Sequence, residues 1–168
     1  MRQPQEPVQQ VKKRRDSVLN TFVQSVPFLK FMGISFERRG DELTAVLEYD
    51  PKLIGNAVIN RLHGGGTSGF LESTAVITLA WKTIWDSMEA GELDLEHLNH
   101  SSLPPLPKTI NFTTDYLRPG LPRDAYARAT IVRAGRRYAS VHIEAWQDNR
   151  DILFAQASGH FLMQAVKQ

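Results

Sequence analysis

The stretch HGGGTSGFLESTAVITLAWKTIW, His63 to Trp85, decides how the rest of the chain must fold. After its glycines come Phe70, Leu71, Ala75, Val76, Ile77, Leu79, Ala80, Trp81, Ile84 and Trp85, which cover almost the full circumference of a helix over about residues 65–85. A helix apolar on one stripe lies on a surface, whereas a helix apolar on every side is buried. Something must wrap it, and the flanking segments read as a sheet. VPFLKFMGISFERRGDELTAVLEYDP, 26–51, reads as a turn and two strands joined at Gly40-Asp41. In the second strand Leu43, Ala45, Leu47 and Tyr49 alternate with Thr44, Val46 and Glu48, the period of a half-buried strand. Residues 51–63 read as a loop.

The last third reads as four more strands joined by tight turns: KTINFTTDYLRPG, DAYARATIVR, YASVHIEAW and ILFAQASGHFLM. In the first of these, Ile110 and Phe112 alternate with Asn111 and Thr113. The last two place Ala139, Val141, Ile143 and Ala145 on one face, and Leu153, Ala155, Ala157, Gly159, Phe161 and Met163 on another. So many small residues leave room for something thick to lie close against the sheet. The fold expected is therefore α+β, an antiparallel sheet of five to six strands wrapped around one long central helix. Val11, Val18, Leu19, Phe22 and Val23 predict an extra N-terminal helix over 8–26. Residues 1–7 read as a disordered tail, and 8–168 as a single domain with its core over 27–168. The proline-closed polar excursion 86–107 is long for a simple connection and is expected to border a site.

At 168 residues with 42% hydrophobic and 23% charged, the chain has the composition of a globular domain. Its formal net charge of +2 makes no case for nucleic acid. KKRR, Lys12 to Arg15, reads as a solvated helix face in preference to a phosphate patch. With no cysteine there is no disulfide framework and no thiolate nucleophile. No apolar run nears the ~18 residues that span a bilayer. A cytoplasmic protein is expected, with no membrane association, no metal and no cofactor.

Between Gly64 and Trp81 the one ionisable side chain is Glu72. A carboxylate inside an apolar helix must be paired, wet or functional. Upstream, His63 and Gly64-Gly65-Gly66 open the helix without a Ser, Asp or Asn cap. The glycines either serve close helix–sheet packing or, with the free amides of the first turn, make a receptor for phosphate or a developing oxyanion. Gly64 and Glu72 are eight positions apart, roughly 12 Å along one helix. A reacting carbonyl needs its oxyanion donors and its attacking group within about 3 Å. If both groups serve one atom, they come from different copies across a two-fold axis.

LHGGGTSGFLESTA resembles the H-G-G-(x)6-[D/E] motif of hot-dog fold thioesterases of the phenylacetyl-CoA (PaaI-like) type. VPFLKFMGISFE, INFTTDYLRPG and VRAGRRYASVHIEAW resemble that family's first and later strands, so the likeness spans roughly residues 25–165. The resemblance implies hydrolysis of an acyl-CoA by a homodimer with shared active sites, with pairing of dimers into a tetramer left open. It implies Gly64 and Gly65 as oxyanion donors, Glu72 as general base or nucleophile, and His63 as a residue that fixes loop geometry. The family's Asn or Gln falls here at Ala57, so Asn56, with Asn60 as the alternative, is assigned that part. The family's helper hydroxyl falls at Val76 and is missing; Ser73 and Thr74 lie nearby. For the CoA phosphates the forked donors of Arg133, Arg136, Arg137 and Arg118 are the candidates. Trp81, with Trp85 and Leu98, is the candidate lining of the acyl pocket. The rival readings are a hot-dog hydratase or dehydratase acting on an acyl thioester, and a non-catalytic acyl-CoA-binding sensor.

Overall fold

The computed structural model describes residues 7–91 and 105–164. The tail 1–6, most of the polar excursion (92–104, with Leu98) and 165–168 lie outside the described residues. In chain order the elements are α1 (Val8–Gln24), α2 (Pro27–Met32), β1 (Ile34–Arg39), β2 (Glu42–Leu47), β3 (Ile54–Asn56), β4 (Arg61–Leu62), α3 (Gly64–Glu89), β5 (Lys108–Tyr116), β6 (Ala125–Ala134), β7 (Tyr138–Trp146) and β8 (Leu153–Leu162), with one 3-10 turn, Pro51–Leu53, between β2 and β3. Six strands form one sheet in the order β1-β2-β6-β7-β8-β5, and all its pairings are antiparallel. The sheet wrapped around a long helix is thus present, and α3 outruns its sequence estimate at both ends.

The close approach of helix and sheet has a specific cause. Ala45 pairs with Ala127, Ala127 with Ala145, and Ala145 with Ala155, so one row of four alanines crosses β2, β6, β7 and β8. All four are completely buried. Phe70, Leu71, Ala75, Ile77, Leu79, Ala80, Trp81 and Ile84 of α3 are buried as well, which is why the helix is apolar all round. β1 and β2 follow the alternation: Leu43, Ala45 and Leu47 are buried and the residues between them are not.

Three expectations need correction. Residues 27–32 are a helix, where the 26–51 segment reads from sequence as a turn and two strands. Pro27 starts it with a preset φ, and Gly33 ends it at φ 74°, the left-handed cap that glycine adopts without strain. The 51–63 segment is more ordered than a loop, because β3 and β4 pair as a small ribbon. Ile110 does not face the core. A bulge between Thr109 and Asn111 in the β5–β8 ladder turns Ile110 out, 58% exposed, and puts Thr109 opposite the buried Phe161.

The KKRR cluster is also more than a solvated face. Arg15 pairs with Glu89 at the far end of α3, and its guanidinium lies 4.3 Å from the centre of the Trp85 ring. Asp16 holds the buried guanidinium of Arg38 at 2.7 Å. Through these contacts α1 is fastened to α3 and β1, while its Val18, Leu19, Phe22 and Val23 join the core.

The alanine row gives a direct test. Ala145→Leu inserts three heavy atoms where α3 already touches the sheet, and overpacking of this kind costs about 1–3 kcal/mol. Urea unfolding should show that loss for Ala145→Leu and a near-neutral result for Leu162→Ala, whose side chain is 43% exposed.

Candidate active site

α3 begins with an unusual cap. His63 has φ −68° and ψ 132°, and its Nδ1 accepts a hydrogen bond from the Gly65 amide at 2.9 Å. An imidazole therefore does what Ser, Asp or Asn does at most helix starts. The ring is held from below: the His63 amide donates to Leu53 O at 2.8 Å, and Gly55 lies so close that a Cβ there would sit 2.7 Å from His63 Cα and Cδ2. Asp50 closes the turn before it by accepting from the Lys52 amide at 2.8 Å, a bond that holds its carboxyl below the usual carboxylate range.

The first-turn amides of a helix have no internal acceptor. Here the Gly65 amide is committed to His63, so it does not stand beside Gly64 as a second free donor. The amides of Gly64 and Gly66 have no acceptor among the described residues.

Along the side of α3 that meets edge strand β5 runs a polar seam. Tyr116 Oη donates to Gly64 O at 2.7 Å, Ser68 Oγ lies 2.9 Å from Thr114 Oγ1, and Thr109 Oγ1 donates to Glu72 Oε1 at 2.6 Å. Gly64, Ser68 and Glu72 are spaced by four, so they stack on one helix face. Tyr116 and Thr114 alternate on the matching face of β5, and the bulge at Ile110 brings Thr109 into line with them. Glu72 is half-buried, with one oxygen held by Thr109 and no partner for Oε2 among the described residues. Thr109, Thr114 and Tyr116 are the site residues that the sequence reading missed. Their signal was the hydroxyls of KTINFTTDY, and the bulge that aligns them is a pairing property that composition does not carry.

The other expected residues scatter. Asn56 Oδ1 accepts from the amides of Val58 at 3.0 Å and Ile59 at 3.3 Å, an Asx turn that leaves its side-chain NH2 for any other partner. Asn60 takes φ 49° and shapes the β3–β4 turn. Arg133, Arg136 and Arg137 gather at the β6–β7 hairpin, at the end of the sheet where β5 begins, and are all exposed. Among the described residues none of these three has a carboxylate partner. Arg118 lies at the other end of β5, where its Nη1 donates to Leu153 O at 2.6 Å. Within one chain the four arginines do not form one cluster. Trp81 is 1% exposed and packs at 6.1 Å from Trp85. It follows Glu72 by nine positions, two and a half turns, which puts it on the opposite side of α3.

Comparison with known proteins agrees with this architecture. Residues 57–162 match the family of the acyl-CoA thioesterase N-terminal domain. The chain is 26% identical over 144 residues to the medium/long-chain acyl-CoA thioesterase YigI of Escherichia coli, covering 84% of this chain and 88% of that protein. A crystal structure from Chromobacterium violaceum is 34% identical and covers 95% of this chain and 100% of its own, with a TM-score of 0.61. The E. coli PaaI protein of the phenylacetic acid degradation operon shares the fold at a TM-score of 0.65 and 14% identity, with 91% of this chain and 95% of that one covered.

The imidazole cap makes a stability prediction. His63→Ala should lower the unfolding free energy by about 0.5–2 kcal/mol, the cost of losing an N-cap acceptor. His63→Asn, which keeps an acceptor at that place, should recover most of it in the same denaturant titration.

Proposed function

The chain belongs to the acyl-CoA thioesterase family, and we propose that it cleaves an acyl-CoA with water to give the free acid and the CoA thiol at a site shared between two copies. The observation that carries this reading is the seam on α3, with a free amide at one end and a held carboxylate at the other. The thioester carbonyl oxygen rests against the Gly64 amide, at the positive end of the α3 dipole. Glu72 of the facing subunit, fixed by Thr109, takes a proton from the attacking water or itself attacks the carbonyl carbon. On the first route the sulfur leaves with that proton; on the second it leaves as the thiolate, and water then hydrolyses the acyl–Glu72 anhydride to the free acid and supplies the proton. Gly65 acts through its bond to His63, by shaping the turn that presents Gly64.

Sharing follows from distance. Gly64 and Glu72 lie roughly 12 Å apart on one rigid helix. They are tied to opposite ends of β5 by Tyr116 and Thr109. A second α3 running the other way brings each amide to the partner's carboxylate. β5 is an edge strand with an open ladder, which suits such pairing. The CoA phosphates are assigned to Arg133, Arg136 and Arg137, the exposed cations near the Glu72 end of β5. For the acyl group, the likeness to YigI, a medium/long-chain acyl-CoA thioesterase, favours a medium or long chain. Ala57 at the family's Asn or Gln position favours the second reading, a sensor that binds acyl-CoA without turnover.

Free-thiol release from a panel of acyl-CoAs separates these readings. Glu72→Gln should lower kcat by about 10²–10⁴-fold. Gly64→Pro should lower it by about 10²–10³-fold, the loss typical of one oxyanion donor. The backbone suits proline here, because Gly64 is the first helical residue and His63 already has the extended conformation that precedes proline, and Tyr116 must give by a few tenths of an ångström, since a Cβ at Gly64 lies 3.3 Å from its Oη. Co-expressed, the two variants should recover about a quarter of wild-type activity, since half the dimers are mixed and each has one intact site. No recovery from mixed dimers overturns the shared site. Tight acyl-CoA binding with no thiol release by the wild type overturns the enzyme in favour of the sensor.

A further inference from the structure

The face of α3 between Gly64 and Glu72 has two unlike borders. One is the row of hydroxyls on β5, from Tyr116 through Thr114 to Thr109. The other is α2. A Cβ at Gly66 would lie 3.7 Å from Met32 Cε, and one at Gly69 would lie 3.2 Å from Phe28 Cζ. α2 therefore runs beside the first two turns of α3 in the opposite direction, with Met32 level with Gly66 and Phe28 level with Gly69. Its apolar residues are divided. Leu29 and Met32 are buried, while Phe28 is 46% and Phe31 65% exposed. Three positions apart, the two phenylalanines share the outer side of α2. The Lys52 ammonium lies 5.4 Å from the centre of the Phe31 ring. Single exposed apolar side chains are ordinary, but here two aromatic rings stand together beside the first turns of α3.

We propose that Phe31 and Phe28 form the shelf on which the acyl chain of the substrate lies, an inference that rests on acyl-CoA cleavage at the Gly64–Glu72 site. With the thioester carbonyl at the Gly64 amide, the acyl group starts at the first turn of α3. The CoA half leads to the arginines at the Glu72 end of the facing subunit, which leaves the acyl half to the chain that supplies Gly64. Along that helix the acyl group has the two borders to choose from. Methylenes laid on the β5 side would strip water from the hydroxyls of Tyr116, Thr114 and Thr109 and offer them no hydrogen bond in return. On the α2 side they meet two ring faces and gain the burial that those rings lack in the free protein. Phe31 comes first, because its neighbour Met32 is level with Gly66. Phe28 follows at the level of Gly69, roughly 7.5 Å from Gly64 along the helix axis. Gly65 and Gly69 put no side chain between the acyl group and the rings. Trp81, 1% exposed on the opposite side of α3, takes no part.

The shelf is tested on the full chain with acetyl-, octanoyl- and dodecanoyl-CoA. Affinity is measured by calorimetry in the Glu72→Gln background and kcat/KM by thiol release in the Glu72 background, so that binding is read independently of turnover. Affinity should rise from acetyl- to octanoyl-CoA, by at most about fourfold per methylene buried. Phe28→Ala should weaken octanoyl-CoA about 4- to 15-fold, the equivalent of one to two buried methylenes, and leave acetyl-CoA unchanged. Phe28→Leu, which keeps an apolar side chain, should recover most of the loss. Phe31→Gln, at the more exposed ring, should act in the same direction and serves if Phe28→Ala does not fold. The proposal is overturned if the parent protein binds all three thioesters alike, if neither variant changes the preference for octanoyl over acetyl, or if acetyl-CoA binding falls as much as octanoyl-CoA binding. Chain-length preference that the variants remove, with no thiol release by the wild type, supports the shelf and overturns hydrolysis. Thiol release whose chain-length preference both variants leave intact supports hydrolysis and overturns the shelf.

Discussion

The contact on which the structure depends is the bed of four alanines, Ala45, Ala127, Ala145 and Ala155, against α3. Small side chains let the helix sink until its own large residues fill the concavity, and the area removed from water makes this the main source of cohesion. The same contact dictates where polar chemistry can exist. A hydroxyl beneath the helix can turn back to its own backbone, as the buried Thr74 Oγ1 does to Phe70 O at 2.8 Å, but a carboxylate would be stranded over alanine methyls. It can survive only along the border, where the sheet runs out. β5 is that border, and Ser68 and Glu72 of α3 are met there by Thr114 and Thr109.

Much of this was legible in the residues because burial leaves a periodic trace. Alternation gave β2, β7 and β8, and the absence of periodicity in α3 gave the wrapped helix. Glu72 stood out because it is charged where nothing else is. What stayed hidden depends on partners that sequence spacing does not show. Phe28 and Phe31 favour strand by propensity, yet Pro27 and Gly33 six positions apart set the limits of one short helical turn. In the sequence His63 reads as a residue that fixes loop geometry, because an imidazole caps a helix only when its ring is folded back on the first turn, and that depends on the absence of a side chain at Gly55. The charge run Lys12 to Arg15 reads as a solvated face, whereas the face of Trp85 and the carboxylate of Glu89 lie within reach of Arg15.

The glycines at the helix start divide their labour in a way the letters GGG conceal. The Gly65 amide is consumed by His63, and Gly64 O is taken by Tyr116. The second bond fixes the peptide unit that joins Gly64 to Gly65; the Gly64 N–H lies in the unit before it, whose carbonyl, His63 O, accepts from the Thr67 amide at 2.9 Å, and that N–H stays uncommitted among the described residues. A donor that need not reorganise when charge develops is worth most in a site of this kind. Glu72 is arranged in the same manner, with one oxygen anchored by Thr109 and the other without a partner among the described residues. β5 thus grips α3 at both ends of the seam, and each grip orients a group without satisfying it. A strand that served packing alone would have put apolar side chains at these places, as β7 does with Ala139, Val141, Ile143 and Ala145. The hydroxyls of β5 forgo that burial, and what they secure in exchange is direction: one amide and one carboxylate oxygen, both held by the edge strand and both left open.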